Sequence, residues 1–157
     1  MKIEPNSATA LRGTAADLIE LKGTAVHAVG PGETVHAAIF KMAECRVGAL
    51  LVMEGPKLVG IISERDYTRK VILLGRASKE TRVDEIMSSE VLTVGLDTSL
   101  GQCMRVMSER SIRHLPVVRG DTVVGVLSIS DLIKTVVEQQ AEIISSLKTF
   151  IGSDYPT

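Results

Sequence analysis

Two short stretches each place a hydroxyl and a carboxylate three residues apart: Ser63 and Asp66 in "GIISERD", Ser128 and Asp131 in "GVLSISD". One chemistry open to such a pair is local. A Ser at the N-cap accepts the amide proton of the third helical residue, and an acid there complements the free donors of the first turn, stabilising a helix by about 1 kcal/mol. The other is recognition. Each motif runs from an apolar stretch directly into a helix start, where free backbone N–H groups can hold an anion. A hydroxyl suits a phosphate, and a carboxylate suits the vicinal hydroxyls of a ribose, from which it accepts two hydrogen bonds. Gly60 and Gly125, three positions before each Ser, allow backbone or ligand to come close in the preceding strand. Capping alone is the commoner meaning of one such motif; two copies facing one cleft would add the second meaning, and sugar with phosphate means a nucleotide.

The elements that must position these groups are themselves repeated. Shifting the sequence by 65 positions aligns 26–71 with 91–136 without a gap, pairing Val26 with Val91, Gly30 with Gly95, Met42 with Met107, Leu50 with Leu115 and Gly60 with Gly125. A lead-in also returns, Thr14-x-x-Asp17-x-Ile19 as Thr81-x-x-Asp84-x-Ile86. Tandem copies of this kind pack against one another. Within the first copy Val26 and Val29 predict a short strand, and Val35, Ala38, Ile39 and Met42 the buried face of a helix, matched by Leu100, Cys103, Met104 and Met107. "GALLVM" and "KLVGII", joined by Glu54-Gly55-Pro56, predict a hairpin, as do "HLPVV" and "TVVGVL" around Arg119-Gly120-Asp121. Ser63 and Ser128 then open a helix each.

The predicted fold is therefore α+β and sandwich-like: two pseudo-twofold-related β-α-β-β-α repeats packed through their sheets, each introduced by a short helix capped by Thr14 or Thr81. The expected division is an N-terminal segment at 1–13, a first repeat with its lead-in at 14–75, a linker helix at 76–90, a second repeat at 91–137, and a helical extension with tail at 138–157. Leu132, Val136, Ile143 and Leu147 continue the last helix beyond the repeat, which suggests a subunit interface.

Composition removes other classes. The 157 residues, 45% hydrophobic and 24% charged, suffice for a real core, and a net charge of −1 gives no strong electrostatic case for nucleic acid or an anionic membrane. Apolar runs such as Ala49 to Met53 are too short to cross a bilayer, and Met1 to Leu11 lacks the apolar core of a signal peptide. With Cys45 and Cys103 as free thiols on helices, a cytoplasmic protein is expected. No nucleophile with a base, no metal constellation and no phosphate-binding glycine loop is present, so an enzyme is not expected; His27 and His36 read as ordinary surface or core residues.

The units "ETVHAAIFKMAECRVGALLVM" with "GIISERD", and "TSLGQCMRVMSERSIRHLPVV" with "GVLSISDL", resemble a tandem pair of CBS domains, a Bateman module, over about residues 14 to 140. "ISERDYTRKVILLGRASKETRVDEIM" is further similar to bacterial stand-alone CBS-pair proteins. The resemblance implies a regulatory module binding an adenosine-containing ligand (AMP, ADP, ATP or NAD) between the repeats, no metal, and a homodimer of pairs. It implies that Ser63 and Ser128 contact phosphate and that Asp66 and Asp131 hold ribose. Adenine would rest between apolar side chains and read backbone amides and carbonyls at Thr24 to Val26 and Val47-Gly48-Ala49 in one copy, and at Ser89 to Val91 and Ile112 to Pro116, including Leu115, in the other. With 3% aromatic residues, stacking on rings cannot be the main mode. Arg65 and Arg113 break the symmetry and are candidates to pair with phosphate, each against the alternative of a solvated arginine. His114 could touch base or phosphate, or be a strand-edge histidine. The competing function is a structural interaction module in which Ser-x-x-Asp only caps helices.

Overall fold

The computed structural model describes residues 11–154. Helix α1 (Ala15–Lys22) begins at Thr14, whose Oγ1 accepts from Asp17 N while Asp17 Oδ2 accepts from Thr14 N at 2.8 Å. Strand β1 (Ala28–Val29) leads to α2 (Val35–Cys45), then to β2 (Ala49–Glu54), β3 (Lys57–Ser63) and a short α3 (Glu64–Tyr67) that runs into a π-helical turn at Thr68–Ile72. The second copy answers with β4 (Val94–Gly95), α4 (Leu100–Arg110), β5 (His114–Arg119), β6 (Thr122–Ser128) and α5 (Ile129–Asp154).

Each copy makes one three-stranded sheet, with orders β1-β2-β3 and β4-β5-β6, a parallel first pair and an antiparallel hairpin. The registers are the same: Val52 faces Gly60 as Val117 faces Gly125, and both hairpins shift register at the next residue, between Val52 and Met53 and between Val117 and Val118. The expected α+β pair of repeats is thus the observed architecture. Side chains alternate along β2 and β5, so Leu50 and Val52, like Leu115 and Val117, enter their own cores. Leu51 and Pro116 are buried on the opposite faces. Among the described residues no helix is long and apolar enough to cross a membrane, and Cys45 and Cys103 are free.

The lead-ins change places. Ala15, Leu18 and Ile19 of α1 belong to the core of the second repeat, with Leu100, Cys103, Met107, Leu115, Leu127 and Leu132. Ala15 N donates to Thr98 O at 2.8 Å and Leu100 N to Gly13 O at 3.0 Å. Reciprocally, Val83 and Ile86 join the first core with Val35, Met42, Leu50 and Ile62, while Val35 N donates to Thr81 O at 2.8 Å. Each hydrophobic core is completed by the segment that precedes the other repeat.

This exchange corrects the expected linker helix at 76–90, which is two single 3-10 turns, Ser78–Glu80 and Val83–Glu85. Backbone groups around Thr81 to Asp84 are spent on the first repeat, through Val83 N on Glu33 O and Asp84 N on Pro31 O, so they cannot continue a helix. Thr81 is not a cap either: it is buried, and its hydroxyl donates to Ala77 O at 2.8 Å. At the other end, α5 leaves the body after Leu132, pinned by Arg12 N donating to Gln139 Oε1 and Gln139 Nε2 donating to Arg12 O. Of the N-terminal segment expected at 1–13, residues 1–10 lie outside the described residues, and Leu11 packs against the second core.

Candidate functional site

A cleft of about 820 Å³ opens between the repeats, and both Ser-x-x-Asp motifs line it. The fold puts them there because each motif ends the last strand of its sheet, and the sheets face each other. The first helical amide is tied to the neighbouring hairpin strand, Glu64 N to Gly48 O at 3.0 Å and Ile129 N to Arg113 O at 2.8 Å, which fixes the helix start against the sheet edge.

Capping is real at both ends. Ser63 N and Ser63 Oγ donate to Asp66 Oδ2 at 2.9 and 3.0 Å, and Asp66 N donates to Ser63 Oγ at 3.3 Å. Ser128 N donates to Asp131 Oδ2 at 2.8 Å, and Asp131 N to Ser128 Oγ at 3.2 Å. The motif residues nevertheless face the cleft, so the cap orients the carboxylate without removing it from the site. Lys70 Nζ stands 3.4 Å from Asp66 Oδ1 and donates to Ile86 O. At the other end Lys22 Nζ lies 2.6 Å from Asp131 Oδ2 and 2.7 Å from Val126 O. Burial would raise the Asp131 carboxyl, but hydrogen bonds from Lys22 and from Ser128 N outweigh it and hold the group below its ordinary range.

The close approach expected at the two glycines is made by the protein's own chain. A Cβ on Gly60 would sit 2.5 Å from Met87 Sδ and 3.0 Å from Ser88 O, and one on Gly125 would run into Ile19 Cδ1. The space belongs to the crossing lead-ins rather than to a ligand. Gly48 is different: a Cβ there would meet the His114 ring only at ordinary van der Waals distance, 3.7 Å from Cε1 and Nε2. Burial, then the nearby Lys22 charge, lowers the His114 pKa, which favours the neutral ring.

Of the residues expected at the site, Ser63, Arg65, Asp66, Val47, Gly48, Ala49, Ile112, Arg113, His114, Ser128 and Asp131 line the cleft. Thr24, Val26, Ser89 and Val91 do not, although Gly23, Ala25, His27 and Ser88, which adjoin the first three, do. Leu115 turns into the second core and Pro116 is buried. Arg65 reaches across the cleft, its Nη1 donating to Ser111 O at 3.2 Å.

Sequence reasoning missed Lys22, Arg46, Arg69 and the lining role of His27. Arg46 and Ser111 hold matching positions after α2 and α4 in the left-handed region, at φ 56° and 53°, a conformation uncommon for residues other than glycine. The signal that could have found Arg46 is its place directly before the strand expected to carry adenine contacts. Together Lys22, Arg46, Arg65, Arg69 and Arg113 face Glu64, Asp66 and Asp131, so the cleft is net cationic in a chain of net charge −1. Among the described residues no three His, Cys, Asp or Glu side chains are grouped to hold a metal ion.

Comparison with known proteins follows this geometry. The family model "CBS domain" matches residues 18–72 and again 83–138. The "CBS domain-containing protein CBSX3, mitochondrial" of Arabidopsis thaliana is 39% identical over 128 residues, 78% of this chain and 62% of that protein, so the chain spans less than two thirds of that relative. A solved "putative signal-transduction protein with CBS domains" from Burkholderia ambifaria MC40-6 is 43% identical with a TM-score of 0.79, over 82% of this chain and 96% of that one. The CBS domain pair of protein MJ0100, described in complex with 5′-methylthioadenosine and S-adenosyl-L-methionine, shares the fold at 22% identity and a TM-score of 0.70, over 78% of this chain and 94% of that one.

Proposed function

The chain belongs to the CBS-domain family, and on that premise we propose that it is a non-catalytic regulatory module that binds an adenosine-containing phosphate ligand, AMP, ADP, ATP or NAD, in the cleft between its repeats. The observation that carries this reading is the pairing of an excess of cations with two capped, cleft-facing carboxylates in one cavity. Arginines suit the phosphate, and a carboxylate held by its own helix start suits the ribose diol. Gly48, Ala49 and Ile112 offer an apolar bed for the base. The adenosine ligands of the MJ0100 pair support the same ligand class on the same fold. Ligand that bridges the repeats changes the geometry between them only to the extent that it binds one arrangement better.

Calorimetric titration of nucleotide-free protein with AMP, ADP, ATP and NAD tests this. Saturable binding is expected, weakened at least ~10-fold by Asp66→Ala, the equivalent of about 1.4 kcal/mol. No heat and no thermal shift with any of the four at millimolar concentration overturns it.

A specific observation favours assembly as well. On α5, Ile133, Val137, Ile144, Leu147 and Ile151 are exposed and recur at steps of four and three once Gln140 is counted, the seam of a helix that packs on another helix. A homodimer joined through α5 is the assembly we propose for the ligand to act on.

A further inference from the structure

The two ends of the cleft are unequal, and the inequality sits on one side chain. Lys22 closes α1, and its ammonium is fixed between Asp131 Oδ2 at 2.6 Å and Val126 O at 2.7 Å. Oδ2 also accepts from Ser128 N at 2.8 Å. Charge-assisted hydrogen bonds are roughly twice as strong as neutral ones, so a ribose diol that pairs with both carboxylate oxygens must displace a better donor from Oδ2. That donor is tethered to the same chain, which keeps it at high effective concentration.

Asp66 has no such occupant. Its Oδ2 receives the Ser63 N and Oγ, and its nearby cation, Lys70, stands off at 3.4 Å on Oδ1 and is engaged with Ile86 O. Duplication offers no second Lys22 either. Met87 lies over Gly60 as Ile19 lies over Gly125, but in the repeated lead-in Ile19 answers to Ile86, so Lys22 answers to Ser89, an uncharged exposed residue that does not line the cleft.

We infer that Lys22 is a tethered cation that keeps the Ser128–Asp131 end closed to a ribose, so that the cleft takes one nucleoside phosphate at Ser63–Asp66 and a second only when Lys22 is withdrawn. This rests on the nucleotide reading above. It makes Lys22 the specificity-determining residue between the two ends, and it ties the state of the second end to α1, a segment that reaches it from ahead of the first repeat.

The experiment is calorimetric titration of AMP into nucleotide-free wild type, Lys22→Met and the double variant Lys22→Met/Asp131→Ala, with Lys22→Gln as a second variant should Met fold poorly. Expected are one AMP per chain in wild type, two in Lys22→Met, and one again in the double variant. Independently of ligand, NMR titration of His114 reads whether Lys22 holds its place. The ring is faced by Lys22 from α1, Asp131 from α5, Arg113 directly before β5 and Arg65 from α3; losing Lys22 removes a repelling cation and frees Asp131, so the protonation midpoint must rise. Two equal sites in wild type, a single site or weakened binding in Lys22→Met, or an unmoved His114 midpoint each overturn the inference alone. Absence of AMP binding in all three proteins removes the nucleotide reading and the inference with it.

Discussion

Around Asp66 and around Asp131 the same four-residue motif meets different neighbours. The cap distances agree within a few tenths of an ångström, because hydroxyl, carboxylate and amide all lie within one turn of chain. The cations differ: Lys70 comes from the same turn of helix at Asp66, and Lys22 from across the molecule at Asp131. The helices differ as well. α3 passes into a π turn ending at Ile72, whereas α5 runs for 26 residues. Duplication has kept what a motif does to its own helix and has let diverge what surrounds it. Shared chemistry therefore argues for shared stability, while unequal surroundings argue for unequal ligand binding and for assembly through one copy.

The largest effect should break the comparison at the helix ends. Ile144→Glu with Ile151→Glu places charge on the exposed seam of α5 and is expected to reduce a two-chain sedimenting species to one chain, with the unfolding midpoint of the body unchanged because both residues are exposed. A wild type that sediments as a single chain would remove the proposed assembly. Next come the glycines beneath the crossing segments. Gly60→Ala and Gly125→Ala should each cost about 1–3 kcal/mol in urea unfolding, since the new methyl meets Met87 and Ser88 O in one case and Ile19 in the other. A neutral result at either would show that its lead-in is not held against that sheet. The smallest effect tests what the copies share: Ser63→Ala and Ser128→Ala should each cost about 1 kcal/mol, and a markedly unequal pair would show that one motif has given up capping.

Much of the fold was legible. Hairpins, helix faces and most caps are written in spacings of two to four residues, whereas Val52 faces Gly60 rather than Val59 only through the register shift after Val52. The motif residues reached the cleft as expected because a strand end leads directly into a helix start. Leu115 turns into the second core while its neighbour Pro116 is buried on the opposite face, because alternate strand residues point to opposite faces. Thr24, Val26 and Ser89 stand one position from lining residues and Val91 three, since segments without regular structure carry no period from which to read a face. Lys22 carried no signal at all. Thr14 and Asp17 announce a helix, but nothing local states which sheet that helix will cover.

By itself the sequence determined the duplicated α+β units, the cap at Thr14 and the Ser-x-x-Asp pairs, because each depends on groups a few residues apart. Only the tertiary structure decided that the lead-ins exchange repeats, that Met87 and Ile19 fill the space over the two glycines, and that Lys22 rests on Asp131. Those contacts join residues up to 109 positions apart, and their partners are selected by burial of complementary apolar faces when the two sheets come together.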